Sequence, residues 1–581
     1  MLSTQNSKAT HGWFYDPFFI AVTLIFFYAL WIGSYPLFTP DEGRYSEVAR
    51  EMIVTGDYIT PRLNGIAFLD KPILYYWLQA SAIQLFGLKE WALRFWPACI
   101  GIMGSIVVYI TGRTLYNRRA GILSAIILAT CPLYFGAAHY ANLDLEVSVL
   151  VSNALLFFIS AMHTPSQRAR NVFLILAYVF SALAVLTKGL IGLAFPMMII
   201  GAWIAILKRW NLLLQIRLIM GLVLFIVIAA PWYILVQQAN PQFFHYFFVL
   251  QQFSRFLTQA DFNNQTTTWF YVPIVLAGFL PWTCFLFQAL FQHIKSIWQD
   301  KQKYSSELFI MIWFVIVFTF FSIPKSKTIG YILPVFPALS LIVGHYLSKC
   351  WGQFKNSGIQ IGIFLFVVSC LAFAALFLAE PRNNVFHLEF QLIPYLMTGG
   401  VILSLAALTT YVCFRLNKFT QLFCCIAFAS ALFLLCIISS ASVINHKSTK
   451  SLAKIIATHI KPNDEVVTYC RYYQDLPIYL QRRITIAADW HNDDIAKSDN
   501  WQRELWYHMN YVDSSKWLIE KPELIARWAG DKRLFLLITS DMYPIFMDNV
   551  HENYMAAQAY LLGSYSFNDK DMILLVSNKE L

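Results

Sequence analysis

Asp41, Glu42 and Arg44 stand in the run Phe38-Thr39-Pro40-Asp41-Glu42-Gly43-Arg44-Tyr45, and Asp70-Lys71-Pro72 follows a short way on. Between them fall Glu47, Arg50, Glu51 and Arg62. Carboxylates set among guanidinium and ammonium groups can bind an anion and activate a hydroxyl. A guanidinium offers a flat fork and an ammonium a compact point charge, a pair suited to a phosphate or a phosphodiester. A carboxylate beside them can orient or deprotonate an attacking oxygen. The loop lies between long apolar stretches, on the side where lysine and arginine are otherwise scarce. Cations held there against the topological bias point to a binding or catalytic site.

Four more places offer comparable chemistry. Asn142-Leu143-Asp144 opens an apolar run, where a carboxylate can face a cavity, although helix N-termini favour aspartate in any case. Thr187-Lys188-Gly189 interrupts two apolar runs with a lysine that a turn alone does not need. Arg255 lies in a long polar stretch at about 237–268, and Lys325 and Lys327 precede Thr328-Ile329-Gly330-Tyr331-Ile332-Leu333-Pro334. Each has a bland reading as well: Lys71 can snorkel to headgroups ahead of a helix begun by Pro72. Together these cations favour an anionic, lipid-linked ligand.

The elements that carry them can be read locally. Thr39-Pro40-Asp41-Glu42 is a capping box with proline at the first helical position, in which Thr39 caps and Glu42 folds back. Tyr45, Val48, Ala49, Met52 and Ile53 recur at helical spacing and Gly56 can close the helix, which predicts a helix over about 40–55. Asp41, Arg44, Glu47 and Glu51 then share its solvated face. The stretch over about 73–88 is apolar but short, and is predicted as a helix lying at the membrane surface.

Of 581 residues, 58% are hydrophobic and 13% charged, and the mean hydropathy is +0.54. Those values exclude an ordinary soluble globular protein and predict a polytopic helical membrane protein. The net charge of +10 does not imply nucleic acid, because most basic residues fall in short inter-helix loops where topology explains them. Apolar runs occur at about 17–38, 91–112, 120–138, 145–162, 172–187, 190–207, 215–236, 269–292, 307–323, 331–348, 359–379, 394–414 and 420–442, roughly thirteen spans. With the N-terminus inside, the basic loop clusters such as Arg113/Arg118/Arg119 and Arg168/Arg170 all fall inside, and the tail falls outside. The first sixteen residues show no cleavable signal pattern. Apart from Cys470, the ten cysteines lie in or beside apolar segments, so no disulfide framework is expected. Past residue 445 charges become frequent and short apolar runs appear at 465–469, 483–487, 534–538 and 572–576, with helix-like stretches at Trp501–His508 and Pro522–Ala529. The expected division is a membrane domain over 1–445, with outer loops at about 39–90 and 237–268, and a soluble α/β domain over 446–581.

Asp41-Glu42-Gly43-Arg44-Tyr45 and its continuation Ser46-Glu47-Val48-Ala49-Arg50-Glu51-Met52, with Gly56-Asp57-Tyr58-Ile59-Thr60-Pro61 and Asp70-Lys71-Pro72, resemble the first outer loop of the bacterial lipid A aminoarabinose transferases. These are relatives of the protein O-mannosyltransferases among the C-type glycosyltransferases. Thr187-Lys188-Gly189 and Ser326-Lys327 through Tyr331-Ile332-Leu333-Pro334 match further motifs of the family, and the resemblance covers nearly the whole chain. It implies Asp41 as the catalytic aspartate and Arg44 and Lys71 as ligands of the carrier phosphate. Tyr45, Lys188, Arg255, Lys327 and Tyr331 would be further substrate-binding positions, and Glu42, Asp70 and Asp144 supporting ones. Asp70 stands where the family usually has glutamate, and Gln252 falls at the position of a histidine that, with that glutamate, can hold a metal ion. No cofactor or metal is therefore expected, with Asp70 the one weak candidate ligand. The implied reaction is inverting transfer of an aminoarabinose-like or other sugar from undecaprenyl phosphate to lipid A or a related envelope glycolipid. It would occur on the periplasmic side of the bacterial inner membrane, among membrane lipids, and its consequence would be polymyxin resistance. The nearest rival is a protein O-glycosyltransferase, in which Asp41 must act as a true general base. A lipid flippase is the other, although transporters place polar or broken helices near the midplane and the polar residues here lie at span ends.

Overall fold

The computed structural model describes residues 3–254, 266–383, 389–445, 447–497, 500–567 and 571–581. The chain divides into two compact units. One comprises Met1–Ile32, Arg94–Ile234 and Asn264–Ala441; the other comprises Gly33–Leu93, Leu235–Asn263 and Ser442–Leu581.

The first unit is helical. Among the described residues nine helices are long and apolar enough to cross a membrane, or eleven if each of two bent pairs counts as one span. Those pairs are Arg118–Ala129 with Pro132–Ala138, bent by 67°, and Thr268–Gly278 with Thr283–Gln299, bent by 111°. A proline stands at each bend, Pro132 as the first residue of the second helix and Pro281 inside the gap, and proline lacks the amide needed to continue the hydrogen-bond ladder. Tyr15–Ala29 and Ile191–Leu207 are shorter apolar helices. Each apolar run read from the sequence coincides with one of these elements. The first stops earlier than expected, at Ala29, with Trp31 turning the chain at a φ of 58°. Packing uses small residues: a Cβ on Gly112 would come 2.9 Å from the Cα of Gly121, so the helices Phe95–Leu115 and Arg118–Ala129 touch backbone to backbone.

The second unit joins the stretches of chain around 39–90 and 237–254 to the C-terminal segment. Its centre is a six-stranded sheet of β1 (Glu465–Tyr469), β2 (Thr485–Ala487), β3 (Leu518–Ile519), β4 (Leu534–Thr539), β5 (Tyr560–Phe567) and β6 (Asp571–Ser577), in the order β3-β2-β1-β4-β6-β5. The pairs β1–β2, β1–β4 and β2–β3 are parallel, whereas β4–β6 and β5–β6 are antiparallel. The central strand β4 is buried along its whole length, as expected of a strand covered on both faces. Val467, Leu536, Ile538 and Val576 pack with Leu524 and Trp528 of the helix Lys521–Trp528 and with Phe546 and Val550 of Met542–Asn553. Strand β5 was not legible in the sequence, since Gly563, Ser564 and Ser566 interrupt its apolar pattern and it lies at the sheet edge with several side chains exposed.

The first outer loop folds onto this domain. Its helix spans Asp41–Thr55 and the apolar stretch after it forms the helix Leu74–Phe86. Between them, Arg62–Leu63 and Ile66–Ala67 form a hairpin whose turn is Asn64-Gly65, both at positive φ, the backbone that a tight two-residue turn demands. The Asn64 side chain donates to the Ile484 carbonyl at 3.0 Å and accepts from its amide at 3.1 Å, which pins the hairpin beside β2.

Candidate active site

The site begins with the helix Asp41–Thr55. Glu42 folds back as expected, but its Oε2 accepts from the Phe38 amide at 2.8 Å. The Thr39 amide is taken instead by the Lys447 carbonyl at 3.0 Å, and Thr39 provides no side-chain cap, so the predicted capping box is displaced by one residue. Gly43 permits the closest approach in the site. A Cβ there would lie 2.5 Å from the Asp475 amide nitrogen, so only glycine lets the Gln474–Asp475 backbone pass.

One turn carries the chemistry. Arg44 Nη2 bonds Asp41 Oδ1 at 2.5 Å and Arg44 Nη1 bonds Glu504 Oε1. Both terminal nitrogens of the Arg44 fork thus engage carboxylates, and Nε is left with no hydrogen-bond partner among the described residues. Burial disfavours the Arg44 charge, but Glu504, Tyr45 and Asp41 outweigh it and hold the guanidinium protonated well above its usual range. Glu504, which sequence reasoning missed, sits on the helix Trp501–Met509, started by Asn500 accepting from the amides of Gln502 and Arg503 at 3.0 and 3.1 Å. The helix was legible, but its pairing across 460 residues was not. Burial pushes the Glu504 carboxyl up to about 7; Arg44 opposes that, while Asp70 and Asp41 add to it.

Asp70 lies beside this pair, its Oδ1 accepting from the Tyr246 hydroxyl at 2.5 Å and its Oδ2 from Gln251 Nε2 at 3.4 Å. Gln251 also donates to the Tyr246 hydroxyl at 3.1 Å. Gln251 is thus the residue that meets Asp70; the side chain of Gln252, and Arg255, lie outside the described residues. His508 packs edge-on against Tyr246 at 4.4 Å between ring centroids. Burial lowers the His508 pKa to about 4, with Asp70 opposing, and raises the Tyr246 hydroxyl well above its usual range, with Asp70 adding to the rise. Lys71 is half-buried and its charge acts on Glu504.

Two expectations change. Glu47 and Glu51 are not on a solvated face: both are fully buried. Arg50 bonds both Glu47 oxygens at 2.7 Å, and Arg483 bonds both Glu51 oxygens at 2.8 and 2.7 Å. Burial pushes the Glu47 carboxyl up to about 7, with Arg50 opposing. These charges clamp the helix onto the C-terminal domain, because a buried carboxylate is tolerated only when paired. Tyr45, a substrate-binding position by the resemblance, is buried and packs on Tyr75 and Tyr76 at 5.8 and 6.2 Å between centroids.

The helical unit gathers a second cluster. Asp144, on the first turn of Leu143–His163, bonds the Lys188 ammonium, and that ammonium lies 4.1 Å from the Tyr331 ring centroid. The Asn142 side chain caps the Asp144 amide at 2.9 Å. Thr187, next to Lys188, donates to buried Glu146 at 3.0 Å, a carboxylate the sequence reading passed over. Asp144, Lys188 and Tyr331 line a cavity of about 10 Å³, roughly one water in size. Lys327 is buried and donates to the Thr267 carbonyl at 3.1 Å, and burial holds its ammonium below the usual lysine range.

A transition-metal site does not fit these residues. Asp70 has both oxygens engaged by Tyr246 and Gln251, an amide is a poor ligand beside an imidazole, and no trio of His, Cys, Asp or Glu with metal-holding geometry exists among the described residues.

A polytopic helical unit, and an acid–base cluster held between an outer-loop helix and an α/β domain, are the parts expected of a membrane glycosyltransferase of the C type. The family profile of the dolichyl-phosphate-mannose-protein mannosyltransferases matches residues 15–247. An undecaprenyl phosphate-alpha-4-amino-4-deoxy-L-arabinose arabinosyl transferase of Proteus mirabilis is 30% identical over 436 residues, covering 73% of this chain and 76% of that one. A second from the same organism is 26% identical over 88% of this chain and 90% of its own length. The counterpart in Aeromonas salmonicida is 30% identical, and the match spans 66% of its length. The crystal structure of ArnT from Cupriavidus metallidurans bound to undecaprenyl phosphate superposes with a TM-score of 0.82 over 98% of each chain at 23% identity, which establishes the common fold. The chain belongs to the family of undecaprenyl phosphate-aminoarabinose arabinosyltransferases.

Proposed function

We propose that this enzyme transfers 4-amino-4-deoxy-L-arabinose, or a closely similar amino sugar, from undecaprenyl phosphate to lipid A or a related envelope glycolipid. The observation that carries the reading is the kinship over three quarters of the Proteus mirabilis arabinosyl transferase, 76% of its length. The reaction would take place on the periplasmic face of the inner membrane, with the N-terminus cytoplasmic and the C-terminal domain periplasmic. An acceptor oxygen attacks the anomeric carbon, the bond from that carbon to the phosphate oxygen breaks, and undecaprenyl phosphate leaves. Direct displacement inverts the anomeric centre.

Several of the side chains named above have a part in that scheme. Lys71 offsets the charge that grows on the departing phosphate, a contribution that needs no proton transfer. Arg44 holds Asp41 in place through their 2.5 Å bond and meets the phosphate through Nε, or by exchanging one carboxylate for it. Asp41 orients the acceptor; where the acceptor is a phosphate, its oxygen is already anionic and positioning is the main contribution. Asp144, Lys188 and Tyr331 act as further substrate-binding groups, with Arg255, whereas Lys327 braces its loop.

The match to protein mannosyltransferases over 15–247 keeps a second reading in view, with a serine or threonine hydroxyl as acceptor and Asp41 as general base. The two separate in one assay. Purified enzyme is given the aminoarabinose-charged carrier with either lipid A or a serine- and threonine-rich peptide. Sugar on lipid A alone supports the first reading, and sugar on the peptide replaces it with the second.

A further inference from the structure

Buried polar atoms near the Asp41–Arg44 pair with no hydrogen-bond partner among the described residues include Arg44 Nε, Glu504 Oε2, both ring nitrogens of His508 and the Tyr76 hydroxyl. Leaving such an atom unpaired in a buried place is unfavourable, so a group of them around one site marks a place suited to a polar ligand. Glu504 and His508 are four residues apart on the helix Trp501–Met509 and so share one face. His508 is 1% exposed and held against Tyr246, which in turn holds Asp70.

The charges say what kind of ligand. Asp41, Asp70 and Glu504 are acids, Arg44 and Lys71 are bases, and all five interact at this point. With the acids ionised, the cluster is negative by one charge before anything binds. A carrier phosphodiester adds a second negative charge, and a neutral sugar would leave that excess buried and uncompensated. A cation on the sugar removes one charge. It also supplies three N–H donors to a place where Glu504 Oε2 and one nitrogen of neutral His508 await donors.

We propose that Glu504 and His508 form the subsite for the ammonium group of the donor sugar, Glu504 as its counter-ion and His508 as a hydrogen-bond acceptor. The proposal rests on the amino-sugar reading above and adds the residues that read the amine. Glu504 then has two duties: one oxygen holds Arg44 and the other selects the sugar. A donor with an uncharged substituent in place of the amine is disfavoured by the excess of negative charge.

The test uses the full-length enzyme in lipid vesicles with lipid A as acceptor. Two donors are compared, undecaprenyl phosphate carrying 4-amino-4-deoxy-L-arabinose and the same donor N-formylated, whose nitrogen is uncharged. Binding of bare undecaprenyl phosphate is measured alongside. The wild type should favour the amine in kcat/KM, and Glu504→Gln should lose about tenfold or more on the amine donor alone. Bare-carrier binding should not weaken, because the substitution removes a negative charge from the cluster that receives the phosphate. If Glu504→Gln lowers both donors equally, keeps the preference or weakens bare-carrier binding, Glu504 serves only to hold Arg44 and the proposal is wrong. Should that variant fail to fold, His508→Gln leaves every charge in place; it must reduce the preference severalfold without touching bare-carrier binding, and an unchanged preference overturns the proposal. A wild type with no preference for the amine refutes the amino-sugar reading itself, whereas a preference that survives both substitutions refutes only this subsite.

Discussion

Exchanging Asp41 for asparagine preserves shape and removes one charge. The Asp41 side chain is 32% exposed and bonded at 2.5 Å to Arg44, whose other nitrogen keeps Glu504. Solvent screens a pair this open, and the asparagine oxygen can still accept from Arg44, so folding stability should change by no more than about 1 kcal/mol. The effect on transfer is far larger. Removing a carboxylate that draws a proton from the attacking oxygen costs about 10²–10⁴-fold, or about 3–5 kcal/mol of barrier. If the acceptor is already anionic, only positioning is lost and the fall lies near the lower figure. The assay is the initial rate of transfer by purified enzyme, with the donor KM and the unfolding midpoint measured on the same preparations. We expect kcat to drop at least about 100-fold while the donor KM stays within about threefold and the midpoint barely moves. A variant that keeps most of the wild-type rate, or one whose loss of rate tracks a loss of folded protein, refutes the role given to Asp41.

Four further outcomes are expected. Lys71→Ala should weaken binding of undecaprenyl phosphate by about 1.5–3 kcal/mol, read by titration with the bare carrier; unchanged binding returns Lys71 to a headgroup-facing role. Glu51→Ala strips Arg50 and Arg483 of an acceptor inside the clamp, at a cost of about 3 kcal/mol, and should open the helix Asp41–Thr55 to limited proteolysis as activity falls. His508 is held at about 4 against an ordinary 6.5, so the unfolded chain binds more protons between those values. Stability should therefore fall as pH drops through that window, by on the order of 3 kcal/mol in full, and His508→Gln should flatten this part of the pH–stability curve. Exhaustive EDTA treatment should leave transfer intact; a loss restored by one added metal would require another ligand set, with His245 in the second outer loop the first to test.

What could be read from the sequence follows the distance over which each interaction acts. Arg44 and Asp41 are three residues apart on one helix, so their pairing is local and legible. The apolar runs gave the helices, and uninterrupted stretches such as Leu534-Phe535-Leu536-Leu537-Ile538 gave the buried strands. Glu51 looked solvated because its partner Arg483 lies 432 residues further along, and no periodicity encodes such a pairing. Glu504 was hidden for the same reason, on a helix that itself was easy to see. Gln251 and Tyr246 reach Asp70 from an irregular π-type helix, His245–Ser254, whose side-chain directions do not follow ordinary helical spacing. The capping box failed because the Glu42 amide donates to the Phe38 carbonyl and the Thr39 amide to that of Lys447, and any residue could have supplied those carbonyls.

If this enzyme transfers an amino sugar to lipid A, mass spectrometry of lipid A from bacteria with and without the gene will show it. Lipid A is expected to be heavier by an aminopentose only when the wild-type gene is present, with the Asp41→Asn gene giving the unmodified mass. Lipid A of identical mass in all three strains, with hexose or pentose appearing on serine or threonine of envelope proteins only in the wild type, would contradict it.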